Sequence, residues 1–172
     1  MVGKISLTDL NALTLDEFVR VVGPVFEHSP WIAKMTWVAK PFASVKQLHA
    51  ALTETVTFAG EAKQLALIRA HPDLVGQLAL AGTLTRESTR EQASAGLDKL
   101  SPAEILLFQK NNAAYQGKFN FTFVICARQN KKAAILAGFE KRLKNTRGLE
   151  IKTALEEVFK IAELRLRDLI RE

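Results

Sequence analysis

The chain of 172 residues has a single cysteine, Cys126. That excludes an internal disulfide and any zinc site built on several thiolates. Chain breakers are scarce too, with nine glycines and five prolines, together below the usual share. Few breakers mean long uninterrupted elements, which favours helices over a many-turned β fold. No run approaches the ~20 apolar residues of a membrane span. The opening MVGKISLTDLNALTLDEF holds no apolar stretch of signal-peptide length, and the closing DLIRE is not a Ser-Lys-Leu type of address. These absences favour a cytoplasmic protein with no membrane partner. Several chemical signatures are also missing. There is no GxGxxG and no GxxxxGK followed by Ser or Thr, hence no phosphate-loop signal. There is no HExxH and no clustered His/Cys/Asp set, so no metal site is expected. The Gly-x-Ser-x-Gly elbow of hydrolases is absent as well.

What is present is ordinary for a globular protein: 48% apolar and 24% charged residues. A chain of this length buries roughly 70% of its unfolded surface, enough for a real core. No repeat, linker or composition break is visible, so residues 1–172 read as one domain. The formal charge of +6 raises the question of nucleic acid or an anionic ligand. The charges do not gather, however. The densest groups, Lys131-Lys132 and Lys141 to Arg147, fall in sequence that reads as solvated helix faces or ends.

Helix signals dominate. Thr14-Leu-Asp-Glu17 is a capping box ahead of Phe18, Val19, Val21 and Val22, with Gly23-Pro24 as a stop. Ser29-Pro30 fits an N-cap and first helical residue for a segment reaching Trp37. Ser44 opens a helix carrying Val45, Leu48 and Leu52, and Glu61 to Ala70 forms another that stops at Pro72. Thr85 to Ala95 is polar but helix-compatible and ends at Gly96. Ser101-Pro-Ala-Glu104 is the strongest start signal, for a helix running to about Lys118. Phe119 to Ala127 is strand-like but has no partner run, so it reads as an extended buried segment. Lys131 to Leu143 and Leu149 to Ile170 close the chain as helices. The predicted fold is all-α, a single compact multi-helix domain.

Four places stand out as candidates for chemistry. On a helix, residues 151, 158, 162, 165 and 169 fall within about 60° of each other, so Arg165 shares a stripe with four apolar residues. Such an arginine reaches past the stripe to water, pairs with an internal glutamate, or points at an anionic ligand. His71 stands at a helix end directly before Pro72. There the backbone is restricted and the helix dipole favours imidazolium. It is either an acid/base or only a C-terminal cap. Ser88, Glu91 and Gln92 are i, i+3 and i+4, hence one face. That face reads a ligand rich in N–H and C=O groups or is simply solvated. Cys126, in an apolar run, reads as a small buried hydrophobe. His28 and His49 are weaker candidates.

The spacing resembles a known family. Arg69-Ala-His71-Pro72-Asp73-Leu74, then Ser88-x-x-Glu91-Gln92-x-x-Ala95-Gly96-Leu97, resembles the signature of the OHCU (2-oxo-4-hydroxy-4-carboxy-5-ureidoimidazoline) decarboxylases of urate catabolism. Phe26-Glu-His-Ser-Pro-Trp31 resembles its N-terminal motif. Asn112 to Tyr115, Lys118-Phe119 and Phe123 to Arg128 resemble its central one. Arg142-Leu143, Asn145, Glu150 and Leu164-Arg165-Leu166 resemble its C-terminal pattern. The resemblance covers roughly residues 14 to 170. Two positions depart from it: Asn120 stands where the family often has Gly, and Thr122 where it often has Pro.

The resemblance implies an all-helical enzyme that dimerises, needs no cofactor and converts OHCU to (S)-allantoin. It places the catalytic His on His71, the catalytic Glu on Glu91 and the active-site Arg on Arg165. Pro72, Ser88 and Gln92 match supporting positions, and the backbone of Phe123, Val124 and Ile125 matches a substrate-contacting segment. Two other readings compete with it. One is a paralogue acting on a related ureido compound. The other is a basic all-α nucleic-acid- or protein-binding domain.

Overall fold

The computed structural model describes residues 4–171. The described residues fall into two compact units: one runs to Ala70 and resumes at Phe159, and the other is His71–Val158. Helices dominate both.

The first unit opens with β1 (Ile5–Ser6), which pairs in parallel with β2 (Ile170–Arg171), Ile5 opposite Ile170. Helix α1 (Leu7–Ala12) starts on Ser6, whose hydroxyl oxygen accepts the Asp9 N–H. Helix α2 (Leu15–Val22) carries the full capping box expected from the sequence. The Thr14 hydroxyl accepts the Glu17 N–H, and the Glu17 carboxylate accepts the Thr14 N–H at 2.9 Å. These bonds hold the Glu17 carboxyl below its usual range, the backbone one foremost. A 3-10 turn, Gly23–Val25, follows. Helix α3 (Trp31–Thr36) begins one residue later than the sequence suggests. Its N-cap is Pro30, already in helical conformation, and no side chain caps it. Ser29 instead closes a turn through its N–H to the Phe26 carbonyl. Helix α4 (Val45–Thr57) starts on Ser44, and α5 (Glu61–Ala70) matches the expected span. Leu10, Phe18, Phe26, Ile32, Leu48 and Leu52 are fully buried here, with Phe18 stacked on Phe42.

The second unit begins with the loop His71–Gly76, then α6 (Gln77–Leu80) and α7 (Arg86–Ser94). Thr85 caps α7, and Gly96 follows it at φ +80°, a left-handed turn that glycine adopts without penalty. Helix α8 (Pro102–Phe119) has the second capping box, Ser101 with Glu104. Lys132 also bonds Glu104 and, with the cap, pulls its carboxyl down to about 2. Helix α8 ends on Asn120 at φ +60°. The departure from Gly at this position is therefore a replacement by the residue next best suited to left-handed backbone. Residues 121–126 are extended, unpaired with any strand and almost entirely buried, as the sequence suggested, although Phe119 belongs to α8. A 3-10 turn (Ala127–Gln129) leads to α9 (Lys132–Arg142) and α10 (Arg147–Leu169). The last turns of α10 belong to the first unit. Aromatic rings fill the core of the second unit. Phe123 stacks on Phe139, and Tyr115 meets Phe123 edge-on at 5.1 Å. Among the described residues no helix is long and apolar enough to cross a membrane.

Candidate active site

His71 is the first residue after α5, because the following Pro72 disfavours helical backbone at the residue before it. It is buried, and Pro72 is half-buried. The loop behind it is strained: Val75, a β-branched residue, sits at φ +55°. Such a conformation costs about 1–3 kcal/mol and persists only where its surroundings impose it. Here three side-chain amides do so. Gln92 of α7 accepts the Val75 N–H at 3.1 Å and donates to the Asp73 carbonyl at 3.4 Å. Asn112 of α8 donates to the Leu74 carbonyl at 2.8 Å. Gln116, one turn further on, donates to both Asp73 carboxylate oxygens at 2.8 and 2.9 Å. Burial nevertheless raises the Asp73 carboxyl above its usual range. Gly76 closes the loop, and a Cβ there would fall 2.6 Å from that of Asp73, so no other residue fits. The Asn112 carbonyl oxygen is buried without a hydrogen-bond partner among the described residues. It is an acceptor whose demand a water or a ligand N–H meets.

The solvated-face reading of α7 is overturned. Ser88, Glu91 and Gln92 are all buried although their helix is polar in composition. They form one covered polar face. Glu91 lies close enough to the extended segment to act on Cys126. Burial first, then the Glu157 and Glu91 carboxylates, push that thiol up. Cys126 is fully buried, as expected of a small hydrophobe.

Phe123, Val124 and Ile125 lie on that extended segment, and side chains satisfy its backbone. The Val124 carbonyl accepts from Arg142 Nη1 at 2.6 Å, and the Cys126 N–H donates to Glu157 at 2.8 Å. Arg142 in turn pairs with Glu150, which is wholly buried. Glu150 also accepts from the Tyr115 hydroxyl at 2.7 Å and the Asn145 amide at 2.8 Å. The Arg142 guanidinium lies 4.3 Å from the Phe123 ring centroid. Burial holds the Tyr115 hydroxyl far above its usual range, so it stays a donor.

The second unit thus holds His71, Pro72, Ser88, Glu91, Gln92 and the Phe123–Ile125 backbone, with Gln92 bonded to the loop that follows His71. Arg165 belongs to the first unit. It does not reach past its stripe to water, being only 6% exposed. Its Nη1 lies 3.0 Å from the Glu27 carboxylate and 3.4 Å from each of the Pro24 and Val25 carbonyls. Glu27 is as deeply buried. His28 is exposed, and His49 bonds the Phe159 carbonyl, so both sit in peripheral or structural places.

Glu27, Tyr115, Arg142, Glu150 and Glu157 were not singled out by residue pattern. One signal was available: Glu150 and Glu157 are seven apart on α10, hence on one face bordering its apolar stripe.

The sequence model of the OHCU decarboxylase family matches residues 11–167. A Halalkalicoccus jeotgali protein named 2-oxo-4-hydroxy-4-carboxy-5-ureidoimidazoline decarboxylase is 43% identical over 166 residues, covering 96% of this chain and 92% of that one. A protein of the same name from Haloferax volcanii is 41% identical over 163 residues, covering 95% of each. The crystal structure of an (S)-allantoin synthase superposes with a TM-score of 0.77 at 27% identity, covering 97% of this chain and 54% of that one. Family match, identity and fold agree: the chain belongs to the OHCU decarboxylase family.

Proposed function

We propose that this protein decarboxylates 2-oxo-4-hydroxy-4-carboxy-5-ureidoimidazoline to (S)-allantoin in urate degradation, with no cofactor. The observation that carries this reading is the buried polar face of α7, tied through Gln92 to the loop behind His71. A buried hydroxyl, carboxylate and amide on one face match a ligand rich in N–H and C=O groups. They sit in a chain that is 43% identical over 166 residues to a decarboxylase of that name.

The substrate carries its own electron sink. Its carboxylate is on a hydroxyl-bearing carbon next to a C=N bond. When the bond to CO2 breaks, its electron pair forms a C=C bond to the imine carbon, and the imine nitrogen takes up a proton. The resulting enol then loses its hydroxyl proton, and the ureido-bearing carbon is protonated on one face. The protein's tasks are orientation, proton transfer and choice of face. His71 exchanges the proton with the hydroxyl or the developing intermediate. Glu91 accepts hydrogen bonds from ring or ureido N–H groups, and Ser88 and the Gln92 amide complete the set. The backbone at Phe123, Val124 and Ile125 contacts the substrate, and Pro72 fixes the approach of His71. Arg165 holds a carboxylate or carbonyl of the substrate through its planar fork.

Three coarser expectations join this proposal. Residues 1–172 act as one domain, a reading supported by the unbroken family match over residues 11–167. The protein works in the cytoplasm. It forms a homodimer, which the exposed Leu78 and Leu80 of α6 and Leu106 and Leu107 of α8 favour. Sedimentation at twice 19.1 kDa is the expected result, and a monomer at micromolar concentration refutes it.

The direct test adds the protein to freshly generated substrate and follows circular dichroism. Uncatalysed decay gives racemic allantoin, so a growing optical signal above background reports catalysis. An optically silent reaction at the background rate overturns the proposal.

A further inference from the structure

We propose that Glu27 is a positioning residue for the decarboxylation: it sets the charge that Arg165 presents to the substrate. The inference rests on the function proposed above. Its own ground is the geometry around Arg165 within the first unit.

A short loop meets one guanidinium nitrogen with three acceptors: the Glu27 carboxylate at 3.0 Å and the Pro24 and Val25 carbonyls at 3.4 Å. All three come from the 3-10 turn Gly23–Val25 and the two residues after it. The Glu27 side chain is 2% exposed and that of Arg165 is 6% exposed. Water therefore screens the pair little, and each charge is felt strongly by the other. Arginine does not deprotonate in proteins, so only a partner can adjust the charge it offers.

That adjustment matters for this chemistry. The substrate enters as a carboxylate and its carboxyl leaves as neutral CO2. A full cation against the carboxylate stabilises the ground state more than the transition state, which slows the chemical step. Glu27 offsets the cation while holding its plane. The arginine orients the anion without gripping it.

The test is Glu27→Gln, which keeps an acceptor for Nη1 and removes the charge. The expected result is a KM for the substrate lowered about tenfold and a kcat lowered about tenfold, with both falling together. That pattern marks excess ground-state binding. Inhibition by neutral (S)-allantoin should change less than twofold, since it has no carboxylate to feel the unmasked charge. Two outcomes overturn the proposal. One is unchanged kinetics of the folded fraction with a lower Tm, which makes the pair purely structural. The other is weaker binding of substrate and allantoin alike, which means that only orientation is lost. Should Glu27→Gln not fold, Glu27→Asp keeps the charge but draws it back, and both constants should then fall about threefold. Failure of both variants to fold also overturns the proposal. Wild-type protein that does not turn over the substrate refutes the function itself. Normal wild-type turnover with unchanged Glu27→Gln kinetics refutes this inference alone.

Discussion

Two arginine–glutamate pairs stand buried among the described residues, and the proposed function gives them different ends. Arg142 and Glu150 lie eight residues apart, in neighbouring helices of the second unit. Their other contacts are a tyrosine hydroxyl, an asparagine amide, a backbone carbonyl and an aromatic face. Every one of these belongs to the second unit itself, so the pair works as a clamp on the extended segment. Arg165 and Glu27 are separated by 138 residues, and the glutamate sits on a short loop. Burial and an ion pair are common to both, so neither identifies a functional cation. The contacts of Arg142 account for its burial through the fold alone. Those of Arg165 include three acceptors from one loop, and the proposed function gives this arginine a task toward the substrate.

Removing each arginine separates the two roles. The largest effect expected is on folding, in Arg142→Ala. It strands Glu150 in the core, which costs about 3–5 kcal/mol, or roughly 6–20 °C in Tm for a chain of this size. The folded fraction should lose some turnover, because Arg142 also holds the Val124 carbonyl of the proposed substrate-contacting segment, but less than Arg165→Gln loses, as calorimetry and rate measurements on one preparation will show. Arg165→Gln should do the opposite. Loss of a preorganised charged donor lowers kcat/KM by about 10²–10³-fold, with a Tm shift smaller than that of Arg142→Ala. A large melting shift with full activity would make the two pairs equivalent. The smallest effect expected is at the segment's entrance. Asn120→Gly suits the left-handed backbone that Asn120 already adopts. Stability should stay within about 0.5 kcal/mol, measured by denaturant titration. A larger loss means that the Asn120 side chain matters beyond its backbone.

Much of the fold was legible because it is written locally. The capping boxes at Thr14 and Ser101, the N-cap Ser44 and the stop at Gly96 are short-range signals, and the structure carries each. Helices α1 and α6, of six and four residues, are too short for a periodicity to show. The β1–β2 pairing joins opposite ends of the chain, and no local pattern encodes it. Ser29 looked like a cap because its residue type and the following proline fit one. The turn back to Phe26 decided otherwise.

The candidate site divides in the same way. Ser88, Glu91 and Gln92 could be placed on one face by counting, but a polar helix does not reveal what covers it. Their burial comes from tertiary packing. Arg165 could be found as a cation in an apolar stripe, yet its partner Glu27 lies near the other end of the sequence. The three amides that fix the His71 loop come from two helices, and nothing in their own neighbourhoods announces that task.

The central claim is that His71 transfers a proton to or from the substrate, and His71→Asn tests it most directly. Asparagine keeps a hydrogen bond and similar bulk but does not titrate. The expected result is a kcat lower by about 10²–10⁴-fold, loss of the imidazole limb from the pH–rate profile, and a nearly unchanged Tm. A variant with full activity and the wild-type pH profile would contradict the account. So would one that melts early but turns over normally once folded, since His71 would then only end its helix.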